Sequence, residues 1–176
     1  MFIMNKLLLL MLVLCASCAH YQFGTSLPKQ YRVIEVSPVE NFTSEPRLES
    51  LLRNSLAEEI IRAPGIKLSA PNQSSGLVLM TQIRDFDQQR HVSARLREHN
   101  DEDHSGNVYQ TVVFRILINV EYQAFASDSE TPYRAGRVSA EADYPMMADQ
   151  ETARAEAFRE AMRSAAQKIV AEVTEE

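Results

Sequence analysis

The sequence of 176 residues contains no tryptophan, five glycines and two cysteines, and both cysteines lie within the first eighteen residues. Because no cysteine follows Cys18, the rest of the chain cannot form an internal disulfide. The few glycines form no phosphate-binding loop. Serine, histidine and aspartate are present, but not in the context of a known catalytic motif. We therefore expect no enzyme activity, no catalytic residues and no cofactor.

Long hydrophobic runs are also scarce, and the longest one covers residues 7–14. It is too short to span a bilayer, which requires about 20 residues. Lys6 precedes this run, and the small residues Ala16 and Ser17 follow it, immediately before Cys18. A charged start, a short apolar segment and small residues are typical of a secretory signal. The placement of Cys18 resembles the lipobox of bacterial lipoproteins, in which the signal is cleaved before a cysteine that carries acyl chains.

These features predict three parts of the chain. Residues 1–17 are the signal peptide, residues 18–30 a lipidated tether that begins at the anchor Cys18, and residues 31–176 a single domain. Positive charge is in deficit, since the chain has a formal net charge of -6 at pH 7. This balance argues against nucleic acid as a partner.

The pattern of apolar residues predicts an α+β fold. Extended segments are indicated at 31–37, 76–83, 108–125 and 133–144, and the last two alternate strictly enough to form an antiparallel hairpin. The near-continuous apolar start of the second segment predicts burial on both faces. Helices are indicated after Ser44 to Pro46 and after Asp149, which is a candidate N-cap. We predict a four-stranded, mostly antiparallel sheet with two helices packed on one face, in the order β-α-β-β-β-α.

A charged segment at 84–107 separates the second and third extended segments. It contains four arginines at positions 84, 90, 95 and 97 together with His91. Arginine binds phosphate through paired hydrogen bonds, which makes this segment a candidate anion site. A solvated loop balanced by neighbouring acids is the alternative, and the residues alone favour it. His99 and His104 flank three acids without a recurrent ligand spacing, so we predict no metal site.

The order of these features resembles the LptE family of lipopolysaccharide-assembly lipoproteins. The resemblance begins with the aromatic and glycine residues at 20–24 after Cys18. It continues through residues 38–49, which are similar to the family's "P-x-x-N-x-T-x-E-P" loop and first helix, and through the alanine-rich, charged last helix. It implies a non-enzymatic protein on the periplasmic side of the outer membrane. The implied partners are an LptD-type β-barrel, which the family plugs and helps to assemble, and lipopolysaccharide.

Candidate contact residues follow from this resemblance together with the strand pattern. Lipopolysaccharide contact is expected at Arg90, Arg95 and Arg97. The polar side of the third strand, which faces away from the helices, would meet the barrel wall through Arg115, Asn119 and Glu121, since a barrel interior is polar. The alternative is a lipid-anchored regulator of another periplasmic partner, such as a cell-wall synthase. A lipid-anchored enzyme is a second rival, distinguished by a cleft with converging titratable groups.

Overall fold

The computed structural model describes residues 27–70, 73–96, 108–146 and 149–175, with only the backbone described at 93–96 and 108–112. Within these ranges the chain forms a short 3-10 helix, Lys29–Tyr31, together with six strands and two α-helices. In chain order they are β1 (Val33–Val36), β2 (Glu40–Asn41), α1 (Arg47–Arg62), β3 (Lys67–Leu68), β4 (Leu77–Leu96), β5 (Val108–Ala126), β6 (Pro132–Pro145) and α2 (Gln150–Thr174).

The described part of the sheet has six strands in the order β3-β1-β4-β5-β6, with β2 also beside β4. Strands β1, β2 and β3 join the sheet in parallel, whereas β4, β5 and β6 are antiparallel to one another. The prediction of a four-stranded, mostly antiparallel sheet is therefore wrong in strand number and in the pairing of β1. Strands β2 and β3 have two residues each, which is too short for a periodic signal. The crossover through α1 makes β1 and β4 parallel.

Both helices pack on one face of this sheet, and the α+β class is confirmed. Helix α1 lies against β1, β2 and β3, while α2 lies against β5 and β6 and also contacts α1. The buried face of α1 carries Leu48, Leu52, Leu56 and Ile60, and that of α2 includes Phe158, Met162, Ala165, Ile169 and Val173. The largest buried side chains of the core include Leu48, Leu52, Leu56, Ile60, Leu77, Leu79, Ile83, Ile116, Ile118 and Phe158.

The caps of the two helices differ. Asp149 is the N-cap of α2, as predicted, and its Oδ1 accepts a hydrogen bond of 3.1 Å from the Thr152 amide. Hydrogen bonds from Thr152 also lower the pKa of Asp149. Helix α1 has no side-chain cap and begins after Pro46. The turn before it is instead held by Asn41, whose Oδ1 accepts from the amide of Thr43.

Strand β4 runs through part of the segment predicted to be a loop. It pairs with β5 from Leu77 to Leu96, so the predicted loop boundary at residue 84 is wrong. Register shifts between Ile83 and Asp85 and around His91 let the strand continue beyond its apolar part. The expected burial of β4 on both faces is also wrong, because Met80 is 43% exposed on the side opposite the helices.

The two ends of the sheet differ in structure. One end, which we call the base, consists of the 3-10 helix Lys29–Tyr31, residues 127–131 and the end of α2; β1, β4 and β6 begin at this end and β5 ends there. At the base a Cβ on Gly76 would lie 1.9 Å from the carbonyl oxygen of Gln30, so only glycine fits. At the other end β6 stops at Pro145, opposite Val113 and Val92, and from these two residues onward β4 and β5 continue as a two-stranded ribbon. None of the described helices has the length and hydropathy needed to cross a bilayer.

Candidate functional site: the outer face of the sheet

The side of the sheet opposite the helices, which we call the outer face, carries mostly polar side chains from three strands. Strand alternation places them there because their neighbours point into the core. Its polar members from β4 to β6 are Gln82, Arg84, Asp85, Asp87, Gln89, Arg115, Asn119, Glu121, Gln123, Arg137, Ser139, Glu141 and Asp143, and its apolar members include Val78, Met80, Leu117, Phe125 and Ala135.

Glu121 lies between two arginines that come from the strands on either side. Its Oε2 accepts a hydrogen bond of 2.5 Å from Nε of Arg84, and its Oε1 accepts from Arg137. These hydrogen bonds lower the pKa of Glu121, with the larger effect from Arg137 and the smaller from Arg84. The irregularity between Ile83 and Asp85 turns Arg84 towards Glu121. The guanidinium of Arg84 also covers the ring of Phe42, at 5.1 Å from its centre.

Asn119 forms the next cross-strand contact. Its Nδ2 donates to Oδ1 of Asp85 at 2.6 Å, and its Oδ1 accepts from the hydroxyl of Ser139. The Asn119 amide thus donates towards β4 and accepts from β6, and these two bonds fix its orientation. The side chain links β4, β5 and β6 in one row.

Arg115 makes the third row, towards the ribbon. Its Nε and Nη2 donate to the two carboxylate oxygens of Asp143 at 2.7 and 2.9 Å, a bidentate pair. Arg115 also lies 3.3 Å from Glu141, and its Nη2 is 2.9 Å from Nε2 of His91. The bond from Arg115 lowers the pKa of Asp143, and the pKa of Arg115 rises in return.

The three residues proposed from the sequence to face a partner, Arg115, Asn119 and Glu121, therefore lie side by side on the outer face. The sequence did not identify their cross-strand partners, because the pairing register cannot be read from alternation. The alternation within 133–144 indicates which β6 side chains share the outer face and could have suggested the partners from that strand. Nothing in the alternation indicates the register shift in β4 that places Arg84 beside Glu121.

The two arginines of the charged segment whose side chains are described lie on different faces of the sheet. Arg84 points to the outer face, whereas Arg90 is in register with Phe114, on the helix side. Arg90 is exposed and, among the described residues, has no carboxylate partner. Arg95 is in register with Tyr109, and only its backbone is described. The predicted anchor Cys18, Arg97 and the histidines at 99 and 104 lie outside the described residues.

A shallow cleft of about 350 Å³ opens on the outer face near the base. The small residues Ala135 and Gly136 leave room for this cleft, which is also lined by Met80, Gln82, Glu121, Gln123 and Arg137. Its ionic groups are already paired with each other, so the cleft offers hydrogen bonds and a methionine surface. In the described ranges no three histidine, cysteine or acidic side chains are placed to hold a metal ion.

One of the solved structures compared supports the fold, with a TM-score above 0.5. A protein from Xanthomonas campestris superposes with a TM-score of 0.53 at 13% identity, over 82% of this chain and 83% of that one. A minor lipoprotein from Acinetobacter baumannii gives 0.45 at 13% identity over 82% and 93%, respectively. Lipoprotein B from Nitrosomonas europaea gives 0.46 at 15% identity over 87% and 88%. At such identities the likeness concerns the fold alone. None of the curated proteins compared matches the sequence.

The sequence profile of one family covers nearly the whole domain. It is the LptE family, described as lipopolysaccharide-assembly, and it matches residues 31–173. This match agrees with the two-layer arrangement and with the motif order noted at residues 38–49. The family is non-enzymatic. The chain belongs to the LptE family of lipopolysaccharide-assembly lipoproteins.

Proposed function

We propose that this chain is an outer-membrane lipoprotein, acylated at Cys18 on the periplasmic side, that plugs and supports assembly of an LptD-type β-barrel. In this role it also assists the insertion of lipopolysaccharide. The protein acts by surface fit rather than by chemistry. The family membership supports the lipopolysaccharide-assembly role, and the geometry of the outer face supports a barrel wall as the partner.

The observation that carries this proposal is the pre-paired polar surface of the outer face. The rows centred on Glu121, Asn119 and Arg115 satisfy their own charges before any partner arrives. A single charge buried without a partner costs several kcal/mol, whereas in a well-oriented, hydrogen-bonded ion pair the mutual attraction offsets much of the cost of desolvation. Such a surface can therefore approach the polar interior of a barrel without stranding a charge.

Arg90 supports the lipid part of the proposal. The outer-face arginines 84, 115 and 137 are each bonded to a carboxylate, but Arg90 is exposed and has no such partner among the described residues. Its guanidinium is available to an anionic phosphate of lipopolysaccharide. Arg95 and Arg97 follow in the same segment, and we include them in the proposed contact region.

Site-specific photo-crosslinking in intact membranes tests the partner. A photoreactive amino acid is placed at Gln123, on the outer face, and in a matched variant at Glu156, an exposed position on α2. We expect the Gln123 probe to capture an outer-membrane β-barrel, identified by mass. Capture from Glu156 alone would show a barrel partner that meets the other face. Absence of a barrel from both variants would overturn the proposal, and capture of a cell-wall synthase would establish the alternative.

A further inference from the structure

The chain enters the described domain at its base. Leu27 is buried, with 2% of its surface exposed, and its carbonyl oxygen accepts a hydrogen bond of 3.1 Å from Nε of Arg32. The nine residue steps from Cys18 to Leu27 span at most about 30 Å when the chain is fully extended. If Cys18 is acylated, as proposed above, the base is the end of the domain held near the bilayer.

An aromatic pair occupies this same end. The rings of Tyr31 and Tyr133 are 5.0 Å apart, Tyr31 is half-buried, and Tyr133 is 40% exposed. Lys29 is exposed next to them in the 3-10 helix. Tyrosine has an apolar body and a polar tip, and lysine a long apolar stem, which suits both to the interface between lipid and water.

The base is also rigid enough to present these side chains in a fixed direction. Nη2 of Arg134, the residue after Tyr133, donates a hydrogen bond of 2.6 Å to the carbonyl oxygen of Glu175 and ties the start of β6 to the end of α2. The adjoining turn carries Asp128 and Glu130, so the base as a whole is not basic. Its affinity should come from tyrosine contact rather than from attraction to anionic lipid.

We propose that, before the chain joins a barrel, the base rests through Tyr31, Tyr133 and Lys29 on the headgroup layer of the bilayer that holds the acyl anchor. This inference depends on acylation of Cys18 but not on the identity of the barrel partner. In this orientation the domain stands on its base, and the ribbon of β4 and β5 points away from the lipid. Val92 in the ribbon lies about 50 Å along β4 from the base.

The absence of tryptophan from the sequence allows a direct test with one reporter at a time. The full-length acylated chain is purified from membranes as two variants, Tyr133→Trp at the base and Val92→Trp in the ribbon. Val92 is 44% exposed, similar to Tyr133, so the two reporters start from matched surroundings. Each variant is reconstituted into phosphatidylcholine vesicles with or without brominated acyl chains. The fluorescence of the single tryptophan is then measured, after flotation has shown that the protein is bound to the vesicles.

We expect brominated lipid to cause a marked loss of emission from the Tyr133→Trp variant and no loss from the Val92→Trp variant. Flotation without quenching of the base reporter would overturn the inference while leaving the anchor intact, and quenching of the ribbon reporter alone would overturn it by reversing the orientation. Failure of the full chain to float would overturn both the anchor and this inference. If Tyr133→Trp lowers the folded fraction, Glu130→Trp on the adjoining turn provides the second base reporter.

Discussion

The phenol of Tyr122 on β5 donates a hydrogen bond to Glu172 on α2, with 2.5 Å between Oη and Oε2. The ring is 2% exposed, and its burial together with this carboxylate raises the pKa of Tyr122. Across the sheet, Gly136 on β6 lies beside the same ring. A Cβ at position 136 would come within 2.8 Å of the hydroxyl oxygen and 2.9 Å of Cε1. The contact between Tyr122 and Glu172 thus requires glycine, which has no side chain, at position 136.

Replacing Gly136 with alanine tests this relationship. Alanine in a strand normally stabilises a protein relative to glycine, by about 0.5–1 kcal/mol. Here we expect a loss of about 1–3 kcal/mol in the free energy of unfolding, because the methyl group overpacks against Tyr122. Urea denaturation monitored by circular dichroism provides the measurement. The penalty should be smaller in a Tyr122→Phe background, which removes the closest atom, and a stabilised Gly136→Ala variant would refute the explanation.

Thr81 on β4 offers a prediction of the opposite sign. It is 1% exposed on the helix side of the sheet, and its hydroxyl oxygen is buried without a hydrogen-bond partner among the described residues. An unpaired buried hydroxyl costs about 1–3 kcal/mol. Thr81→Val keeps the shape and removes the hydroxyl, so we expect a higher urea midpoint. Thr81→Ser, which keeps the hydroxyl and loses the methyl group, should lower it. A destabilised valine variant would show that the hydroxyl has a partner.

Glu45 and Arg154 connect the starts of the two helices. Glu45 is 9% exposed, and its Oε2 lies 3.2 Å from Nη2 of Arg154, whose guanidinium covers the rings of Phe86 and Phe158. A double-mutant cycle with Glu45→Gln and Arg154→Met should give a coupling energy of roughly 0.5–3 kcal/mol.

The matched control for that cycle is Arg47, which also contacts Glu45, at 3.1 Å, but is 59% exposed at its side chain. The cycle with Arg47→Met should give less than about 1 kcal/mol, since water screens an exposed pair. Equal coupling in the two cycles would mean that burial next to the aromatic rings does not strengthen the pair with Arg154. Urea denaturation of the single and double variants supplies both energies.

Acid should weaken the outer face. The pKa values of Glu121 and Asp143 are lowered in the folded protein by their arginine partners, so the unfolded chain binds protons more readily. The stabilisation is therefore complete above the unfolded carboxyl pKa of about 4 and is lost as the pH falls through the lower folded values. We expect the Glu121→Gln/Asp143→Asn variant to lose less stability than the parent between pH 5 and pH 2, by roughly the contribution of these two groups.

Thermal unfolding across that pH range, in low salt, would measure this difference. The control is Glu130→Gln, because Glu130 is exposed and has no ion-pair partner within the described part of the chain. Its profile should follow that of the parent. If the double variant also follows the parent, the rows centred on Glu121 and Arg115 do not contribute to folding stability.

The elements that could be predicted from the sequence are those with one long buried face. Helix α2 and strands β5 and β6 meet this condition, since their apolar residues recur at the spacing of a helix or a strand along the whole element. The part of β4 beyond Ile83 has no such buried face. Beyond Ile83 its outer residues are polar, and Arg90 on the other side is exposed, so neither face shows a buried pattern. Backbone pairing with β5, the bonds of Arg84 and Asp85 to that strand, and the contact of Phe86 with Phe158 hold this part in the sheet.

The candidate site was predictable to the same extent. Alternation alone placed Arg115, Asn119 and Glu121 on a shared face, because their neighbours Ile116, Ile118 and Val120 are apolar. Which groups they bond to depends on register, and register depends on the irregularity near Arg84, for which the sequence has no marker such as glycine. The internal neutralisation of the arginines, which decides what the face can bind, therefore required the structure.

Arg90 and Arg137 provide a matched pair for the last prediction, which concerns lipopolysaccharide. Both are exposed arginines on strands, but Arg137 is bonded to Glu121 and Arg90 has no carboxylate partner among the described residues. Loss of one hydrogen bond to a charged group costs about 1.5–3 kcal/mol, so Arg90→Ala should weaken binding about tenfold or more. Arg137→Ala should change it little, because its guanidinium is already occupied.

Binding of the full-length protein in detergent to immobilised lipopolysaccharide, measured by surface plasmon resonance, would separate these two variants. Arg90→Lys retains the charge but not the two-pronged geometry, and it should bind with intermediate affinity. The difference between the parent and Arg90→Ala should shrink as salt is added, because an exposed contact with phosphate is screened. Equal affinities for Arg90→Ala and Arg137→Ala would exclude Arg90 from the lipid contact, and they would leave the outer face of the sheet, with the barrel as its proposed partner, unaffected.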